Sequence, residues 1–98
     1  MNNDILYKKI ISIAKGYPVA QISIFGSRAR GDYNEKSDLD LLIKFDNCFT
    51  ASQYFDFWDE IENSLDITVD ILSKDVLSQL PSDVVDKILY DERRIYEI

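Results

Sequence analysis

The sequence has no histidine, one cysteine, two prolines and three glycines in 98 residues. Each scarcity removes something. Without histidine, and with Cys48 alone, every ordinary Cys/His zinc site is excluded, and so are Ser-His and Cys-His dyads. A single cysteine cannot close an internal disulfide, so a reducing, cytoplasmic setting is expected. Few Gly and Pro beside 46% hydrophobic and 30% charged residues exclude collagen-like and low-complexity chains and indicate a globular domain. Positive charge is also scarce: 11 Lys plus Arg stand against 18 Asp plus Glu, a net charge of −7. A phosphate backbone attracts Lys and Arg, so direct nucleic-acid binding is not expected. No apolar run approaches membrane-spanning length, and Ile10-Ile11-Ser12-Ile13-Ala14 behind Lys8 and Lys9 is too short for the core of a signal peptide. The chemistry left open runs on carboxylates, hydroxyls, Lys, Arg and a hard cation.

The length fits one domain over residues 1–98. Leu6, Ile10, Ile13 and Ala14 recur at helical spacing, so a helix is expected over 3–15, stopped by Gly16-Tyr17-Pro18. Residues 20–25 alternate as a strand, and 27–31 suit one helical turn. Further strands are expected over 38–45 and 66–72, with an edge strand in the tail 93–98. Between them fall a helix over 50–64 carrying Tyr54, Phe57, Trp58 and Ile61, a short turn near 75–79, and a last helix N-capped by Ser82 with Val84, Val85, Ile88 and Leu89. The order implies an α/β (α+β) fold, a small mixed β-sheet packed against helices.

Two carboxylates carry the chemical argument. Asp38 and Asp40 are two residues apart on an expected strand, so they emerge on one face, roughly 6–7 Å apart along the backbone. The opposite face holds Leu39, Leu41, Ile43 and Phe45. Carboxylates so close repel unless a cation lies between them, and Mg²⁺ suits because it takes oxygen ligands from one or two carboxylates plus substrate phosphates. Asp70 repeats the pattern between Val69 and Ile71. If its strand neighbours 38–45, Asp70 lies beside Asp40, and three carboxylates can hold two metal ions. Gly26-Ser27, directly after a strand, offers a tight turn, free N–H groups and a hydroxyl, with Arg28 and Arg30 adding positive charge. That is a phosphate seat, but not a P-loop, since no Gly-Lys-Ser/Thr follows.

Gly26-Ser27, ten residues, then Asp38-Leu39-Asp40 resembles the signature of the nucleotidyltransferase superfamily related to DNA polymerase β. The longer runs Gly-Ser-Arg-Ala-Arg-Gly at 26–31 and Ser-Asp-Leu-Asp-Leu-Leu-Ile at 37–43 resemble its minimal subgroup, the MNT domain, which includes antitoxins paired with HEPN-type toxins. The resemblance implies a nucleotidyltransferase fold. It also implies that Asp38, Asp40 and Asp70 bind two Mg²⁺ ions as catalytic carboxylates, and that Gly26 and Ser27 hold the triphosphate of ATP. It implies transfer of AMP to a tyrosine hydroxyl of a HEPN-type toxin.

Other readings stand beside these. Arg28 either reaches phosphate as a nucleotide-binding residue or pairs with Asp32 or Glu35. Arg30 reads as structural, paired with a nearby carboxylate, and Ser27 can N-cap its turn while touching phosphate. The Tyr54–Trp58 cluster reads as helix core rather than a base-stacking platform, and Cys48 as an inert loop or core thiol. Two alternatives to a protein adenylyltransferase remain: an antitoxin that masks its toxin by contact alone, and an aminoglycoside-type enzyme acting on a small molecule. The second would need a pocket shared in a homo-oligomer, because one domain this short offers no acceptor pocket of its own.

Overall fold

A computed structural model describes residues 3–34, 36–46 and 48–98. Helix α1 (Asn3–Ala14) buries Leu6, Ile10 and Ala14, spaced by four. It ends where Gly16 and Tyr17 turn back onto the Ile13 and Ala14 carbonyls at 3.0 Å. Strand β1 (Val19–Phe25) leads into the single-turn helix α2 (Ser27–Arg30), and β2 follows over Leu39–Phe45. Helix α3 (Ala51–Leu65) opens on a capping box: Gln53 N–H donates to Thr50 Oγ1 at 3.2 Å, and Thr50 N–H to Gln53 Oε1 at 3.0 Å. Strand β3 (Val69–Ser73), a 3₁₀ helix (Lys74–Gln79), α4 (Ser82–Asp91) and β4 (Arg93–Glu97) complete the chain. Among the described residues no helix is long and apolar enough to cross a membrane.

The four strands lie in the order β3-β2-β1-β4. β1 pairs antiparallel with both β2 and β4, whereas β2 and β3 run parallel. A parallel pair cannot be joined by a hairpin, and α3 is the crossover that joins this one. The mixed sheet is thus the one expected from the sequence.

Pleating divides the sheet into two faces. Ile22, Ile24, Leu39, Leu41, Ile43, Val69 and Ile71 point to the face covered by α1 and α3, where Phe57, Ile61 and Leu65 close an apolar core. Each such side chain contributes about 1.5–3 kcal/mol when fully buried. The other face carries Ser23, Phe25, Asp40, Leu42 and Asp70, and the 3₁₀ helix and α4 pack across part of it. That cover explains why Leu42 is fully buried on a face that alternation alone would leave to polar residues.

Several boundaries move for local reasons. β3 starts at Val69 rather than 66, because Asp66 takes a left-handed conformation (φ 54°) as the C-cap of α3. Gly26 and Pro81, not Ser27 and Ser82, occupy the N-cap positions of α2 and α4, and neither helix has a side-chain cap. Cys48 is exposed. Tyr54 and Trp58 pack against the core, ring centroids 5.8 Å apart, and also guard the outer edge of β3. Trp58 Nε1 donates to the Val69 carbonyl at 3.0 Å, and the Val69 N–H donates to Glu62 Oε2 at 3.4 Å. Groups that an edge strand would present to another chain are satisfied by α3 instead.

Candidate active site

Everything chemical on the site face converges where β1 ends. Gly26 has φ 75° and ψ −156°, a region in effect reserved for glycine. The turn it makes brings the backbone against the side chain of Asp40: a Cβ at position 26 would overlap the Asp40 carboxylate. The register explains the proximity, since Phe25 pairs with Asp40 across β1 and β2. Asp40 in turn pairs with Asp70 across β2 and β3. Asp38 lies immediately before β2, exposed, and Asp70 is exposed on the neighbouring strand.

Asp40 is the most enclosed of the three carboxylates. Burial pushes its carboxyl up from the ordinary range, and the charges of Asp70 and Asp38 push it further, with Arg30 opposing. Such a group is held against both desolvation and repulsion, and a cation would relieve both. Among the described residues no group of three or more His, Cys, Asp or Glu side chains is gathered tightly enough to hold a metal ion unaided. The donors nevertheless suit Mg²⁺, a hard cation that takes one or two carboxylates and completes its shell with water and substrate phosphate oxygens.

A cleft of about 600 Å³ opens beside these groups, a volume suited to a small-molecule ligand. One wall is Phe25, Gly26 and Ser27; the floor has Ser37, Asp38 and Asp40; the far wall is α4, through Val84, Lys87, Ile88 and Asp91. Arg30 also lines it. Its guanidinium donates to Asp91 at 2.8 Å and to Asp32 at 3.1 Å, tying α2 to α4. Arg30 is therefore paired with carboxylates, as expected, and also lines the cleft.

Gly26, Ser27, Asp38 and Asp40 all meet in this cleft, with Asp70 one strand away. Arg28 does not join them. It points behind α2, 4% exposed, where Nε and Nη2 donate to the Ser37 carbonyl at 3.3 and 3.2 Å and Nη1 donates to Asn3 Oδ1 at 3.3 Å. Asp32, one of its expected partners, is taken by Arg30; Glu35, the other, lies outside the described residues. Arg28 thus clamps the loop before Asp38. Sequence reasoning missed Lys87 and Asp91. The available signal was the helical spacing 84, 87, 88, 91, which sets both on the face of α4 that bears Val84 and Ile88.

The sequence matches the family described as "Polymerase beta, Nucleotidyltransferase" over residues 8–98. A protein of Methanocaldococcus jannaschii, provisionally named a protein adenylyltransferase, is 38% identical over 71 residues, covering 72% of this chain and 83% of that one. A solved chain provisionally described as a minimal nucleotidyltransferase has a TM-score of 0.74 at 27% identity, with 95% of each chain covered. A complex of tri-AMPylated Shewanella oneidensis HEPN toxin with MNT antitoxin contains a chain of the same fold: TM-score 0.68, 13% identity, covering 97% of this chain and 72% of that one.

Proposed function

Because this chain belongs to the polymerase β-like nucleotidyltransferase family, we propose that it is a Mg²⁺-dependent protein adenylyltransferase of the antitoxin type, transferring AMP from ATP to a tyrosine hydroxyl of a HEPN-type toxin in the cytoplasm. One observation carries the proposal: Asp40 stands between Asp38 on its own chain segment and Asp70 on the paired strand, directly against the Gly26 turn. A protein that only masked its partner by contact would have no use for a half-buried carboxylate held at such electrostatic disadvantage.

Asp38 and Asp40 would hold Mg²⁺, with Asp70 completing the acidic set. The cation's role when bound is to neutralise the triphosphate and stabilise charge on the attacking and leaving oxygens. The chain's own groups do the rest. The backbone turn at Gly26 and the Ser27 hydroxyl seat the phosphate tail at the cleft wall. Lys87 is the cleft cation with no hydrogen bond or ion pair among the described residues, so it is free to meet a triphosphate oxygen. Asp70, exposed on the strand beside Asp40, would take the proton of the incoming phenol, whose ordinary pKa of about 10 keeps it protonated at neutral pH. The acceptor oxygen bonds to the α-phosphorus, the bond to the bridging oxygen of the β-phosphate breaks, and pyrophosphate leaves.

The test uses a HEPN-type toxin, sought in the neighbouring reading frame, with ATP and Mg²⁺. Intact mass is expected to show toxin heavier by whole adenylyl groups and silent as a ribonuclease, and the Asp38→Ala/Asp40→Ala double variant is expected to leave it unmodified and active. A toxin silenced by the double variant without any mass gain would establish masking instead. Adenylylation of an aminoglycoside without partner protein would establish the small-molecule enzyme.

A further inference from the structure

The chain has four arginines, Arg28, Arg30, Arg93 and Arg94, and all four line one cavity of about 400 Å³ behind α2. In a protein of net charge −7 that concentration calls for a cause. Two of the four have carboxylate partners: Arg30 has Asp32 and Asp91, and Arg94 has Glu97 at 3.1 Å. The other two have none among the described residues. Arg28 is buried with a carbonyl, an amide oxygen and the face of Tyr33, 4.8 Å from its guanidinium carbon, and three of its five N–H groups are used. Arg93 makes no side-chain hydrogen bond or ion pair among the described residues. Arg28 is the buried one of the two, and a buried cation without a counter-charge is costly, with an anion the usual remedy.

Both unpaired cations approach the same side chain. Burial and Tyr33 push the Tyr7 phenol up, while Arg28 and Arg93 pull it down, so Tyr7 lies in the field of each. Asp4 brings one negative charge to the rim. A groove of about 330 Å³, lined by Ala29, Arg30, Arg93 and the end of α4, shares Arg30 with both this cavity and the active cleft.

We propose that the arginine cavity between α1, α2 and β4 binds a phosphate monoester of nucleoside-monophosphate size, at a site separate from the transfer cleft. A guanidinium presents a planar fork of donors that suits phosphate oxygens. A monoester carries about −1.5 to −2 charges at neutral pH, opposite in sign to the two unpaired cations and more than enough to outweigh the single charge of Asp4 in its pull on them. The volume lies within the usual range for small-ligand pockets. This inference does not depend on the transfer reaction.

The experiment is a titration of the full chain with inorganic phosphate and with AMP, chelator present, followed by backbone amide spectra. Saturable shifts are expected at Tyr7, Ala29, Arg93 and Ile95 with both probes, AMP binding at least as tightly. They should weaken as ionic strength rises. Arg93 is exposed, so Arg93→Ala is expected to melt like the parent while losing on the order of tenfold to a hundredfold in affinity; Arg93→Lys should recover part of it. Shifts confined to Ser27, Asp38 and Lys87, a response that does not saturate, or unchanged affinity in Arg93→Ala would overturn the proposal.

Discussion

Replacing Gly26 by alanine perturbs two things at once, and the structure separates them. The backbone at φ 75°, ψ −156° is closed to a side chain at about 1–3 kcal/mol. The new methyl would also overlap the Asp40 carboxylate, forcing it from its place. For a domain this size, each kcal/mol moves the melting temperature by about 4–8 °C. Gly31 is the control: its φ of 92° costs a side chain about 1–2 kcal/mol, but a Cβ there meets nothing within 4 Å. Stability alone could not tell the two apart, so the assay is a double-mutant cycle against Asp40→Ala. That change removes the overlapping carboxylate and leaves only an ordinary contact, 3.6 Å, at the Asp40 Cβ. Urea denaturation is expected to show Gly26→Ala and Asp40→Ala coupled by about 0.5–3 kcal/mol, with the double variant more stable than the sum implies. Gly31→Ala and Asp40→Ala should add to within about 0.5 kcal/mol. Additivity at position 26 would refute the close approach of the turn to the Asp40 carboxylate.

Asp40→Asn should raise the melting temperature at neutral pH. Its carboxyl is shifted up in the folded chain, so the folded state binds the proton more tightly; the destabilisation by Asp40 grows as pH rises past the ordinary carboxyl value and is complete above the folded one. The advantage of the Asn variant should fade as pH falls below the ordinary carboxyl value of 3.8, where both states are protonated; an advantage that persists at acid pH would contradict this cause. Mg²⁺ should raise the melting temperature of the parent and not of Asp40→Asn, checked by melting with and without chelator. Lys87→Ala, at an exposed position of α4, should leave the melting temperature within the equivalent of about 0.5 kcal/mol while weakening ATP binding about tenfold by calorimetry. Phe57→Ala should cost about 3–5 kcal/mol by urea denaturation, since its side chain fills the centre of the core between α1, α3 and the sheet.

Much of this was legible in the sequence because two periods carried it. Alternation in Leu39–Phe45 separated a core face from an acidic face, and four-residue spacing in α1 and α3 named the side chains that cover the core. The pairing of Asp40 with Asp70 followed from the same alternation once β2 and β3 were neighbours. What stayed hidden depends on tertiary cover. Leu42 is buried only because the 3₁₀ helix and α4 lie over its face. Lys87 and Asp91 enter the cleft only because α4 turns that face inward, and Arg28 is drawn behind α2 because Ser37 and Asn3 meet it there. No local pattern encodes such meetings between distant segments.

The direct test of adenylyl transfer at these carboxylates follows the label. A HEPN-type toxin, the proposed partner, is incubated with this protein, Mg²⁺ and ATP labelled at either the α- or the γ-phosphorus. Label from the α-position is expected on the toxin and label from the γ-position in free pyrophosphate, with neither transfer in Asp40→Asn. Toxin labelled from the γ-position, or α-label transferred undiminished by Asp40→Asn, would contradict it.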